Sequence, residues 1–270
     1  MQKLPIGEQY FARLRARNML YVDKTEQIYD LMNAGTYLFL ARPRRFGKSL
    51  LTTTLKELYL GNRALFQGLW IEDKIDWQPQ PVILINFNGV SYRTQSLAHG
   101  LTEHMDDLAE EYGFTLAAGD YKEKFRELIR RLATEQKVVL LIDEYDKPIT
   151  DVLEYEDKVE EHVNTLKDFY SVLKSLEGEL LCFTLITGVS KYGKLSIFSE
   201  LNNLLDVTLD RRFVTLLGYT QGELAHYFGD YLDRLAVTYS MERATILTEM
   251  AAWYNGYSWD GIHHVYVPYS

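Results

Sequence analysis

The sequence predicts an α/β fold, a parallel sheet with helices on both faces followed by a small helical lid. Three observations predict it. An apolar run, Leu38-Phe39-Leu40-Ala41, feeds a short basic turn that ends in Gly47-Lys48-Ser49 before an apolar-periodic segment. A second run, Val138-Val139-Leu140-Leu141-Ile142, closes on two adjacent carboxylates, Asp143 and Glu144. Runs of this kind alternate with helical spacing along most of the chain. Strands without a polar face, separated by amphipathic helices, are the pattern of a parallel sheet covered on both sides.

Strand, basic glycine turn and helix, in that order, place an anion on a helix N-terminus. Arg44, Arg45, Phe46, Gly47, Lys48, Ser49 and Leu50 form the expected cradle, with backbone N–H groups facing phosphates. Gly47 lets the chain approach closely because it has no Cβ. Lys48 is expected to reach the β- and γ-phosphates of ATP and Ser49 to ligate Mg²⁺. The general Walker A signature, G-x-x-x-x-G-K-S/T, has a glycine where this chain has Arg42. Gly-Lys-Ser alone is a common tripeptide, so the reading depends on a second part of the same machine. Asp143 and Glu144 supply it, at the strand end where ligands of open α/β sheets bind. Asp143 is expected to hold Mg²⁺, directly or through water, and Glu144 to orient and deprotonate the attacking water.

Composition narrows the alternatives. Hydrophobic content of 47% and charged content of 25% over 270 residues describe an ordinary globular protein. A formal net charge of -9 argues against a general nucleic-acid binder, although Arg42, Arg44 and Arg45 form a small basic patch. The single cysteine, Cys182, lies in an apolar run and reads as a core residue. His99 and His104 lack the i, i+4 ligand spacing and His263-His264 has no cysteine nearby, so no zinc site is expected. Neither a signal-peptide core nor an apolar run of membrane-spanning length is present, and a cytoplasmic chain with no membrane partner is expected.

Taken in order, residues 10–14 read as a helix and Leu20-Tyr21-Val22-Asp23-Lys24-Thr25 as a short strand. A helix from Thr25 to Met32 is expected to end on Gly35. Tyr21, Val22 and Lys24 are candidates for the adenine side of the site, because a segment just before a phosphate loop often packs beside the base. The loop-proximal helix runs over 48–60, a second buried strand over 82–87, and amphipathic helices over 96–112 and 121–134. Beyond the acidic strand, Asp146 reads as a loop residue near the phosphate. The charged stretch 151–161 reads as a solvated helix face or a mobile loop, and 166–176 as another helix. The run 180–190 is the next buried strand, with Thr187 and Ser190 as candidates for contact with the γ-phosphate or the attacking water. Gly188-Val189-Ser190-Lys191-Tyr192-Gly193 misses the G-x-S-x-G elbow by one residue, which disfavours a serine hydrolase. A last short strand is expected at 214–217, then helices over 222–235 and 241–254 that form the lid. Residues 1–220 are read as the core and 221–270 as the lid with the start of a further region, since the chain stops without a cap or polar tail.

Five stretches in this order carry a family resemblance: Tyr21-Val22-Asp23-Lys24-Thr25, Arg42-Pro43-Arg44-Arg45-Phe46-Gly47-Lys48-Ser49, Ile142-Asp143-Glu144-Tyr145-Asp146, Thr187-Gly188-Val189-Ser190 and Trp253-Tyr254-Asn255-Gly256-Tyr257. Together they resemble the bacterial AAA-ATPase-like family over nearly the whole chain. The resemblance implies a P-loop NTPase fold, and its own version of the loop accommodates Arg42. Val267 stands where the family usually has Asn. Members often continue into a nuclease-like domain of the PD-(D/E)xK type; its acidic and lysine residues are not found here, so such an activity would lie beyond Ser270. Glu144 beside Asp143 marks the additional-strand catalytic-glutamate class, in which the 180–186 strand sits between the loop strand and the acidic strand. No N-K-x-D tetrapeptide follows, which disfavours a GTPase.

The leading expectation is Mg²⁺-dependent ATP hydrolysis coupled to lid movement, with the chain acting as a motor or switch. Lys48 and Mg²⁺ would neutralise charge while Glu144 places the water. Arg211 or Arg212 would supply a further charge, within the chain or across a homo-oligomer. The alternative is a nucleotide-binding regulatory or interaction module with little turnover. Partners beyond ATP and further copies of the chain would be a protein or DNA engaged through a C-terminal domain.

Overall fold

The computed structural model describes residues 1–176, 179–190, 197–198, 201, 203–254 and 256–268. Lys191, Tyr192 and Gly193 of the elbow-like stretch, Asn255 of the aromatic stretch, and Tyr269 and Ser270 lie outside the described residues. Five parallel strands form the central sheet: β1 (Tyr37–Ala41), β2 (Val82–Asn86), β3 (Val138–Asp143), β4 (Leu181–Gly188) and β5 (Leu205–Asp206). Their order is β2-β3-β4-β1-β5, so the strand ending in Gly188 lies between the strand that feeds the glycine turn and the strand that ends in Asp143. The expected insertion is therefore the observed one, and the fold is of the P-loop NTPase type.

Burial explains why these runs are strands. Every residue of β1 and β3 is buried, and alternate side chains go to opposite faces of the sheet. Phe39, Ile83, Ile85, Leu140 and Ile142 enter one core with α4 (Leu97–Glu111), α5 (Tyr121–Leu132) and α7 (Glu156–Ser175). Leu38, Leu40, Leu141 and Leu185 enter a second core with α1 (Phe11–Ala16), α2 (Thr25–Met32) and α3 (Lys48–Tyr59). Two-sided burial leaves no position for a polar face, hence the unbroken apolar runs.

Caps set several helix starts. Ser96 accepts from the backbone N–H of His99, and Asp120 with Glu123 makes a capping box on α5. Between α3 and β2 the chain makes two 3₁₀ turns, Arg63–Phe66 and Trp70–Asp73. A short α6 (Lys147–Thr150) follows the acidic strand.

Several local expectations are corrected. Residues 20–24 form no strand; Lys3 and Met19 form an isolated bridge before them. Helix α2 is capped by Asn33, two residues before Gly35. Residues 151–154 of the charged stretch form a turn, and 156–161 are the solvated start of one 20-residue helix, α7, that also includes the expected helix at 166–175. The expected strand at 214–217 is replaced by the edge strand β5 and a 3₁₀ turn, Arg211–Phe213. The lid has three helices, α8 (Gln221–Tyr227), α9 (Gly229–Tyr239) and α10 (Arg243–Tyr254). After them a two-stranded hairpin, β6 (Tyr257–Ser258) and β7 (His264–Val265), returns to the sheet-bearing core, with Val265 fully buried in the second cluster and Tyr266 bridged to Tyr219.

Candidate functional site

The turn between β1 and α3 takes its shape from two left-handed residues, Arg45 at φ 71° and Gly47 at φ 94°. At φ 94° a side chain would be strained, and this is the reason for glycine at position 47, since an added Cβ would meet open space. No side chain caps α3, so its first N–H groups point into the turn, where an anion would receive them. Arg44 and Arg45 are exposed, Ser49 and Leu50 half-buried, and Phe46 is buried with its ring turned away from the turn towards Tyr257.

Lys48 is 5% exposed, and its ammonium donates to the carbonyls of Arg42 (2.9 Å) and Pro43 (3.1 Å). Burial lowers its pKa, while the charges of Asp143, Glu144 and Asp146 act in the opposite sense. All three carboxylates lie at the C-terminal end of β3 and in the turn after it, so their charges reach the ammonium from that one strand end.

Asp143 is completely buried and held on both oxygens. Thr187 Oγ1 donates to Oδ1 at 2.6 Å and Asn86 Nδ2 to Oδ2 at 3.2 Å. Parallel pairing puts Asn86 in register with Asp143 and ends β4 alongside. Thr187 was expected at the γ-phosphate or the attacking water; its hydroxyl instead orients the carboxylate expected to bind metal. Asn86 was missed, because one asparagine at a strand end carries no signal until the register is known.

Glu144 stands at φ 56°, a left-handed backbone that a glutamate adopts at a cost of about 1–3 kcal/mol. The strained turn projects its side chain towards Asn88, whose amide donates to Oε2. Asn88 was also missed. Asp146, expected beside the phosphate, is a buried turn residue whose carboxylate accepts from Val189 N (2.9 Å) and Ser190 N (3.2 Å). Burial raises its pKa in spite of these bonds. Ser190 is exposed, with its carbonyl accepting from Tyr145 Oη at 2.7 Å.

Other expected residues have packing roles. Tyr21 lies edge-on to Phe11 at 5.1 Å, while burial holds its pKa far above the ordinary value. Val22 is buried, and Lys24 pairs with Glu223 and donates to Thr215 O. Arg212 is exposed and forked onto Asp210; Arg211 is exposed in the same turn. Arg42, counted with the basic patch, is 1% exposed and turned inward.

The profile of the family described as "Predicted AAA-ATPase" matches residues 5–198. The chain belongs to the AAA-ATPase-like family. A relative from Azotobacter chroococcum mcd 1, described as "Uncharacterized protein in vnfD 5'region", is 41% identical over 273 residues. That match covers 99% of this chain and 51% of the relative, so the chain spans about half the length of the curated relative it matches.

The residues present fit ATP with Mg²⁺. One buried carboxylate, Asp143, and the Ser49 hydroxyl are hard-oxygen donors that would suit a magnesium ion sharing its shell with phosphates and water. Among the described residues no three His, Cys, Asp or Glu side chains converge on a metal-sized space, so a protein-only cage is not built here. Likewise, no helix among the described residues is long and apolar enough to cross a membrane.

Proposed function

We propose that the chain binds ATP with Mg²⁺ on the loop 42–47 and hydrolyses its β–γ bond. The observation that supports this reading is the acidic pair Asp143–Glu144 at the end of β3, whose charges act on the buried Lys48, with Glu144 in a left-handed turn. Bound Mg²⁺ would supply charge neutralisation on the phosphate oxygens, held by Ser49 and Asp143. The protein's own work is positioning. Helix α3 offers N–H groups to the β-phosphate, and Lys48 exchanges its two carbonyl partners for phosphate oxygens. Both carbonyls belong to the loop itself, so the exchange needs only a short movement of one side chain.

Glu144 is the proposed base. It accepts a proton from the attacking water as the water's oxygen bonds to phosphorus and the β–γ bridging oxygen leaves. Asn88 holds this carboxylate in the present arrangement and is a positioning residue. Two donors, Thr187 and Asn86, fix the direction of the lone pairs of Asp143.

The deciding experiment compares Mg²⁺-ATP turnover of the full chain with that of Glu144→Gln. Turnover is expected to fall by about 10²–10⁴-fold while nucleotide affinity stays near wild type. Equal turnover in the two would remove Glu144 as the base. No turnover in either, with ATP still bound, would favour a nucleotide-dependent switch, which is the reading supported if Lys48 is held off phosphate by its loop carbonyls.

A further inference from the structure

Arg42 occupies the position that is glycine in the general loop signature, and its surroundings explain what it does there. The guanidinium is fully inside the protein. It donates to Ala41 O (2.8 Å), Thr208 O (2.7 Å) and Phe213 O (3.1 Å). Its open face lies 4.4 Å from the ring of Trp259. Burial lowers its pKa to about 10, with Asp206 acting in the opposite sense. The same residue anchors the loop through its backbone: its N–H donates to Gly188 O at 3.1 Å, and its carbonyl accepts from Lys48.

The second contact is four residues on. Phe46 is 1% exposed, edge-on to Tyr257 at 4.8 Å and to Trp259 at 5.7 Å. Both ends of the loop are thus gripped by one element, the β6–β7 hairpin. The hairpin is itself firmly built: Asp260 accepts from Ile262 N and His263 N, and Tyr219 and Tyr266 exchange backbone bonds below it. It follows directly on the lid helices.

We infer that Arg42 is a positioning residue of the phosphate loop and that Trp259 couples the loop's shape to the C-terminal hairpin. A glycine at position 42 would leave the loop tied only through backbone bonds. An arginine caged by carbonyls and stacked on Trp259 makes the loop rigid only while the hairpin is seated. Displacing the hairpin would release Arg42, shift its carbonyl away from Lys48 and loosen the N–H groups of 44–47. The lid and anything attached after it would thereby regulate nucleotide affinity from outside the site. This coupling rests on the nucleotide reading for its consequence, though not for its mechanics.

The test uses the full chain as wild type, Trp259→Leu, Trp259→Phe and Arg42→Lys. Amide hydrogen exchange over 44–47 is recorded without nucleotide, and affinity is measured with a fluorescent ATP analogue and Mg²⁺. In Trp259→Leu and Arg42→Lys, loop exchange is expected to quicken and the dissociation constant to rise about ten-fold, the size that a desolvated cation–π contact supports. Exchange in β3 and β4 should stay unchanged. Trp259→Phe keeps an aromatic face and should remain within about three-fold of wild type. A rise in exchange confined to 256–268, with the loop as protected as in wild type, overturns the coupling. Should Trp259→Leu unfold, Arg42→Lys is read in the same way. A wild type that binds no nucleotide overturns the nucleotide reading, and loop exchange still decides the coupling.

Discussion

The residue on which the acidic strand depends most closely is Thr187. Its hydroxyl is one of two donors to a carboxylate with no solvent contact, so its loss leaves a buried charge half satisfied. Thr187→Val is expected to lower unfolding free energy by about 1–3 kcal/mol in denaturant titration and to raise the Mg²⁺ concentration needed for half-maximal nucleotide binding. Thr187→Ser keeps the donor and should restore both. A valine variant with an unchanged Mg²⁺ requirement would show that Asn86 alone orients Asp143. At this scale the sequence was legible in part. Lys48, Ser49, Asp143 and Glu144 are singled out by residue type and spacing, because the proposed chemistry needs those types. Their supports, Asn86 and Asn88, were not, because an amide becomes a partner only through the register of β2 against β3.

At the scale of elements, Gly188 shows how tightly β4 is set against the acidic turn. A Cβ there would lie 2.5 Å from ring carbons of Tyr145 and 3.0 Å from Asp146 Oδ1. The glycine is required by space and not by a left-handed backbone. Gly188→Ala is expected to cost about 1–3 kcal/mol and to lower turnover, since Tyr145 and Asp146 follow directly on Glu144. Thermal unfolding and a steady-state assay check it; a stable variant with wild-type turnover would mean that the turn moves without consequence. The strand and helix periods were readable because burial on two faces demands apolar runs. The split of the lid into three helices was not, because one residue, Phe228, separates α8 from α9 and the single Gly229 after it is a weak signal of a new helix.

At the scale of the whole molecule, Lys24 ties the N-terminal segment to the lid. Its ammonium joins Thr215 O and Glu223, which also completes the capping box on α8. Burial lowers the lysine's pKa and Glu223 opposes that shift, so removal of one partner leaves the other charge poorly solvated. Lys24→Met is expected to destabilise by about 2 kcal/mol, below the value for a fully enclosed pair because Glu223 keeps some solvent. The double variant Lys24→Met with Glu223→Gln should cost less than the sum of the single changes. Additive effects in chemical denaturation would show that the pair contributes no coupling.

Sequence alone determined the strand-turn-helix loop, the buried acidic strand and the parallel class, since each depends on local residue type and a short period. Tertiary structure alone decided which groups hold Asp143 and Glu144, where Arg42 points, and that the terminal hairpin closes on the loop. Arg42 and Trp259 lie more than two hundred residues apart, and a contact of that range leaves no local pattern to read. A basic residue in a basic turn looks like a phosphate ligand; only packing shows a guanidinium held among carbonyls and an indole.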